Sequence, residues 1–101
     1  MAKEIRWTER ALTDFENVLN YLNKNWSVKE LNSFIIKTEQ LTGLISQNPF
    51  LFRKTGSKNL REALITKHNL LVYQIKKEKI FILTVWDTRM HPDKKKINNY
   101  F

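Results

Sequence analysis

The spacing of apolar residues changes character once along this chain. In the first half they recur at three- and four-residue steps, and in the second they run almost without interruption. Ala11, Leu12, Phe15, Val18, Leu19 and Leu22 form one stripe, with Thr13, Asp14, Glu16, Asn17 and Asn20 left outward. That pattern predicts an amphipathic helix. Thr8 can cap it, and Glu9 in the first turn suits the positive end of the helix dipole. Asn23-Lys24-Asn25-Trp26 breaks the pattern. Ser27-Val28-Lys29-Glu30 then matches a capping box, serine followed three residues later by glutamate. A second stripe comprises Val28, Leu31, Phe34, Ile35, Thr38, Leu41, Leu44 and Ile45. Asn48-Pro49 ends it, because a residue preceding proline disfavours the helical region. Two long helices joined so briefly should lie as an antiparallel pair.

Strand-like runs flank this pair. Lys3 to Trp7 has Ile5 and Trp7 on one side and reads as a strand. After Pro49 comes a basic loop, Arg53-Lys54-Thr55-Gly56-Ser57-Lys58, then three runs, Leu60 to Thr66, Leu70 to Lys76 and Lys79 to Trp86. The separators His68-Asn69 and Lys77-Glu78 are short enough for hairpin turns, and Asn69 tolerates a positive φ. The last two runs are apolar on both sides, which places them at the middle of a sheet. The predicted fold is α+β, in the order β-α-α-β-β-β, with the helical hairpin packed on one face of a small, mainly antiparallel sheet. One helical layer on a sheet that is apolar on both faces leaves an apolar surface for a partner.

Composition narrows the class. A chain of 101 residues is expected to form a single domain over 1–101. Its 42% hydrophobic content argues for a folded core. The absence of cysteine excludes a disulfide framework and thiolate metal sites, and the two histidines have no partner at ligand spacing, so neither metal nor cofactor is expected. The opening residues lack an apolar core of signal-peptide length, and no apolar run approaches membrane-spanning length, so a soluble cytoplasmic protein is expected. The formal charge of +8 is unevenly placed: residues 1–40 carry six basic and six acidic side chains, residues 41–101 twelve and four. The excess points to an anionic partner or serves solubility alone.

Candidate chemistry gathers where the last strand ends, at Asp87-Thr88-Arg89-Met90-His91-Pro92-Asp93 followed by Lys94, Lys95 and Lys96. A strand is a rigid mount, and Arg89 and His91 just beyond it can meet an anionic ligand. Arg89 can equally pair with Asp87 inside the fold, and His91 can be a plain turn residue. Lys94 to Lys96 is either a solvated face or a phosphate contact. Arg61, beside Glu62, reads either as a site residue or as half of a structural ion pair. Tyr73 reads as core with its hydroxyl at the surface, His68 as a structural turn residue, and Trp7, Trp26 and Trp86 as core or edge packing.

The residues resemble the RelE/ParE superfamily of bacterial toxin–antitoxin toxins over nearly the whole chain. The resemblance is carried by Ile5-Arg6-Trp7-Thr8-Glu9-Arg10-Ala11, Ile45-Ser46-Gln47-Asn48-Pro49, Leu60-Arg61-Glu62-Ala63-Leu64, His68-Asn69-Leu70-Leu71-Val72-Tyr73-Gln74-Ile75 and Leu83-Thr84-Val85-Trp86-Asp87-Thr88-Arg89. It implies a small protein that arrests growth when free and is neutralised by an antitoxin encoded beside it, with no cofactor and no membrane involved. Such an antitoxin is expected to lay an acidic, extended or helical segment across the toxin, folding as it binds.

The resemblance leaves two mechanisms. RelE-like members cut messenger RNA on the ribosome, which requires a base, an acid and cations around the reacting phosphate. In them a basic residue commonly begins the third strand, where this chain has Leu70. Of two basic residues one apart on the second strand, the first corresponds to Arg61 and the second to Ala63. Arg89 is kept, and a terminal proton-transferring or stacking residue corresponds to His91, Tyr100 or Phe101. ParE-like members poison DNA gyrase and carry no hydrolytic site, and the vacancies at Leu70 and Ala63 favour that branch, with Arg89 and Lys94 to Lys96 on the target-binding surface. Arg61, Arg89 and His91 would be catalytic only in a ribonuclease. A third reading, a non-toxic basic nucleic-acid-binding module, accounts for the charge but not for the ordered motifs.

Overall fold

The computed structural model describes residues 2–56 and 59–90. Strand β1 (Glu4–Trp7) leads into helix α1 (Glu9–Asn25), which turns through Trp26-Ser27 into helix α2 (Val28–Gln47). Strands β2 (Arg53–Lys54), β3 (Leu60–Thr66), β4 (Asn69–Lys76) and β5 (Lys79–Asp87) complete the fold. The sheet order is β1-β5-β4-β3-β2; β1 runs parallel to β5 and every other pair is antiparallel. This is the predicted α+β arrangement, extended by one short edge strand.

Both helix starts are capped as their sequences require. The Thr8 hydroxyl accepts from the Ala11 amide at 3.1 Å and donates to the Ile82 carbonyl at 3.0 Å, which ties the start of α1 to β5. Ser27 accepts from the Glu30 amide at 3.2 Å. Helix α1 continues through Asn23, Lys24 and Asn25, where the polar run predicted a break; the Asn25 amide donates to the Tyr21 carbonyl at 3.1 Å and extends the last turn. The helices bury a narrower arc than their stripes. Ala11, Val18, Leu22, Phe34, Thr38, Leu41 and Ile45 are buried, whereas Leu12, Val28 and Leu44 lie exposed at the margins, because one sheet face covers only about a third of each helix.

The core lies between the helices and the sheet. Ala63, Ile65, Leu71, Tyr73, Ile80, Ile82 and Val85 face α1 and α2, with Ile5, Trp7, Phe15 and Phe52 packed around them. A second, smaller cluster of Leu60, Leu70, Val72 and Trp86, flanked by Leu83, occupies the other face. These four residues are buried, so the apolar surface predicted on that face is smaller than the strand sequences imply; Leu64, on β3, is the exposed member of that surface.

An irregularity in β5 decides which residues face which side. Val72 lies opposite Thr84 and Tyr73 opposite Ile82, which leaves Leu83 as the extra residue of a bulge. Thr84 donates to Asp14 on α1 and Val85 joins the helix-side core, so two successive residues face the helices. Trp86 is thereby turned to the opposite face and Asp87 toward the helices. The β3–β4 turn is Lys67-His68 rather than His68-Asn69. Asn69 is the first residue of β4, fully buried, and the positive φ occurs instead at Asn59 and Lys77. Arg53 and Lys54, predicted as loop, pair with Glu62 and Arg61 as an edge strand too short to show alternation.

Candidate functional site

Residues 88–90, which follow β5, are organised around one buried carboxylate. Asp87 is fully buried at the end of its strand. Its Oδ1 accepts from the Arg89 amide at 2.7 Å, the Met90 amide at 3.3 Å and Arg89 Nε at 3.3 Å. Its Oδ2 accepts from Arg89 Nη2 at 3.0 Å and from Asn69 Nδ2 at 2.6 Å. Asn69 in turn accepts from the Thr66 hydroxyl at 2.6 Å, and Thr66 accepts from the His68 amide at 3.1 Å. The Thr88 amide donates to the His68 carbonyl at 2.9 Å. The network thus fastens the chain after β5 to the β3–β4 turn. Burial pushes the Asp87 carboxyl up, but the Arg89 hydrogen bonds and charge, together with Asn69, outweigh it and hold the group below the usual carboxylate range.

Arg89 is therefore the internally paired residue that its neighbour Asp87 allowed, with only 14% of its side chain accessible. Its guanidinium lies 4.9 Å from the Trp26 ring centre and 5.9 Å from that of Tyr21, at the end of α1. A cleft of about 510 Å³ opens beside it, between the flank of α2 and the β3–β4 turn. Lys37, Lys67, His68 and Arg89 line it, with Glu30, Ser33, Thr66 and Trp26.

Arg61 sits elsewhere. It pairs across the sheet with Tyr73, four residues along β4 from Asn69 and so about 13 Å away by strand rise. Its Nη1 donates to the Phe52 carbonyl at 2.6 Å and to that of Phe50 at 3.3 Å, and its guanidinium lies 5.2 Å from the Phe50 ring centre. Arg61 holds the turn that follows α2, whereas Arg89 reaches the helix-helix junction before it. Beneath that turn Tyr73 is fully buried and donates its hydroxyl to the Pro49 carbonyl at 2.6 Å, so the hydroxyl does not reach the surface. Burial pushes its pKa up to about 12, against a smaller lowering by the Arg61 charge.

The two vacancies in the nuclease pattern are also physical. Leu70 is buried on the sheet face away from the helices, opposite Trp86, and Ala63 is in the helix-side core. His91, Lys94, Lys95, Lys96, Tyr100 and Phe101 lie outside the described residues. Among the described residues no group of three or more histidine or acidic side chains is placed to hold a metal ion, and no helix is long and apolar enough to cross a membrane. Sequence reasoning missed three members of this region. Trp26 is 48% exposed rather than packed away, and Lys37 and Lys67 are brought together only by the fold.

Several solved structures share the fold at low sequence identity. The chromosomal ParDE toxin–antitoxin system from P. aeruginosa is similar with a TM-score of 0.72 at 13% identity, over 85% of this chain and 96% of that one. A mutant of the E. coli toxin RelE in the free state gives a TM-score of 0.62 at 16% identity, over 91% and 90%. The E. coli DinJ–YafQ toxin–antitoxin complex gives 0.61 at 12%, over 90% and 98%. No curated protein sequence matches this chain. The model of the family described as the ParE toxin of the type II toxin–antitoxin system parDE matches residues 5–92. With most of its length matched, the chain belongs to the ParE toxin family of type II toxin–antitoxin systems.

Proposed function

We propose that this toxin, when free, inhibits DNA gyrase without hydrolytic chemistry, and that a cognate antitoxin neutralises it. The observation that carries the target is the separation and engagement of its two candidate cations. Cleavage of RNA needs a base, an acid and cations converging within hydrogen-bond reach of one phosphate. Arg89 is committed to Asp87 and Arg61 to the Phe50 and Phe52 carbonyls, and the β4 residues beside them, Asn69 and Tyr73, stand about 13 Å apart by strand rise. Leu70 faces the other side and offers no proton or charge. Each missing cationic donor typically removes about 10²–10³ in rate.

The antitoxin is supported by family membership and by the E. coli DinJ–YafQ structure, which is a toxin–antitoxin complex of the same fold. The target contact is assigned to Lys94, Lys95 and Lys96, and the Asp87–Arg89 lock anchors the chain just before them. The protein then works in the cytoplasm as one domain over residues 1–101, beside the enzyme it inhibits. Induction without the antitoxin should arrest growth and trigger DNA-damage signalling, and the purified toxin should inhibit gyrase supercoiling. Mapping of message ends after induction decides between the mechanisms: codon-phased cuts on translating messages, with gyrase unaffected, would overturn the gyrase reading in favour of a ribosome-dependent ribonuclease.

A further inference from the structure

We infer that the cleft between α2 and the β3–β4 turn binds a phosphorylated nucleoside, either as a free mononucleotide or as one unit of a nucleic-acid strand. This goes beyond the toxin assignment and does not depend on which target the toxin has. The cleft's volume of about 510 Å³ lies within the ordinary range for small-molecule sites. Its charge is one-sided. Lys37 and Lys67 approach from the helix and the turn, neither joins an ion pair among the described residues, and Arg89 adds a third cation at the wall. Asp87 balances Arg89 from below, so the two lysines are the charge that a phosphate would neutralise.

A simple anion site has no use for the other lining groups. Trp26 is held by the Arg89 guanidinium at 4.9 Å yet remains 48% exposed, which leaves much of its ring for a base to stack on. The clamp matters because a tryptophan already oriented loses little freedom on binding. Among the described residues Glu30 is the cleft's only acid. It would repel an acidic peptide, but it can accept from sugar hydroxyls or from an exocyclic amine, as carboxylates do in dinucleotide sites. Ser33 adds a further polar residue to the lining. Along α2 the lining runs from Trp26 through Glu30 to Lys37, with Lys67 approaching from the turn, an order that fits base, sugar and phosphate.

The test is calorimetric titration of the purified full chain with adenosine monophosphate and, separately, with a short single-stranded oligoadenylate. Trp26→Phe follows the stacking surface, while Lys37→Glu and Lys67→Glu follow the phosphate; both lysines are exposed, so these two variants keep the fold. Saturable binding that each lysine reversal weakens at least about tenfold supports the site. Equal affinity for the two probes identifies a free mononucleotide as ligand, and much tighter binding of the oligonucleotide identifies a strand. Absence of binding at millimolar nucleotide, nucleotide binding indifferent to both lysine reversals, or capture of an acidic peptide in place of either nucleotide would overturn it. Growth arrest and gyrase inhibition are read separately, so their failure is distinguishable from failure here.

Discussion

Arg61 and Arg89 both leave the sheet for the helical layer, yet they are held in opposite ways. Arg89 is nearly enclosed, and its charge is met by the fully buried Asp87 with Asn69 and two backbone amides completing the shell. Arg61 is half-buried and, among the described residues, meets neutral carbonyl acceptors and a phenyl ring. A buried charge that loses its partner is far costlier than a half-solvated one that loses a carbonyl. The two ends of the molecule should therefore differ in how they respond to the same truncation, although in sequence both are an arginine near an acidic residue and a strand.

The largest effect should come from Asp87→Ala, which strands the enclosed Arg89 guanidinium and opens the tie to Asn69. We expect a loss of about 3–5 kcal/mol in denaturant unfolding. A loss below about 1 kcal/mol would show that the Asp87 network is not a structural lock. Arg89→Ala should cost somewhat less, about 2–4 kcal/mol, because Asn69 and the backbone amides still serve the carboxylate. It should also move acid unfolding. The Asp87 carboxyl is held below its unfolded range, so its contribution is present above the ordinary carboxylate pKa and is lost as the pH falls through the folded value. Removing Arg89 raises that folded value, so the acid midpoint should shift to higher pH; an unmoved midpoint would break the argument.

At the other end, Tyr73→Phe should cost about 1–2 kcal/mol through the lost hydrogen bond to Pro49. Its signature lies in alkali. The tyrosine pKa is raised from 10 to about 12, so the stabilisation is complete below 10 and falls away as the pH climbs from 10 through 12. The phenylalanine variant should lack that part of the slope, which a pH series of denaturant midpoints measures directly. The smallest change is expected for Arg61→Ala, about 1 kcal/mol from two solvent-facing hydrogen bonds and one ring contact. Thermal unfolding in which Arg61→Ala costs as much as Arg89→Ala would erase the distinction between the two ends.

Much of this was legible in the chain, and the exceptions have physical causes. The helix pair, the strand before it and the three long strands follow from periodicity, caps and Pro49, because these act within a few residues. Asn69 misled because asparagine suits turns as well as it suits a buried polar network, and only the position of Asp87 across the ladder selects the second use. Arg53-Lys54 was opaque because a two-residue edge strand is defined by its partner. Trp26 read as packing because nothing local shows that an arginine from beyond β5 will hold it at the surface.

For the candidate site the division is sharper. The amino-acid order alone shows that the basic excess falls after residue 40 and that Asp87 could claim Arg89, while the family resemblance implies that Leu70 and Ala63 break a nuclease pattern. The first two rest on residue identity and short spacing alone. Packing in three dimensions was needed to establish that Asp87 does claim it, that Arg61 and Arg89 part company, and that Lys37 meets Lys67 across a cleft. The first of those outcomes hangs on the bulge at Leu83. One extra residue in β5 reverses which face its last side chains occupy, and no local preference of the residues concerned specifies where a partner strand will leave room for it.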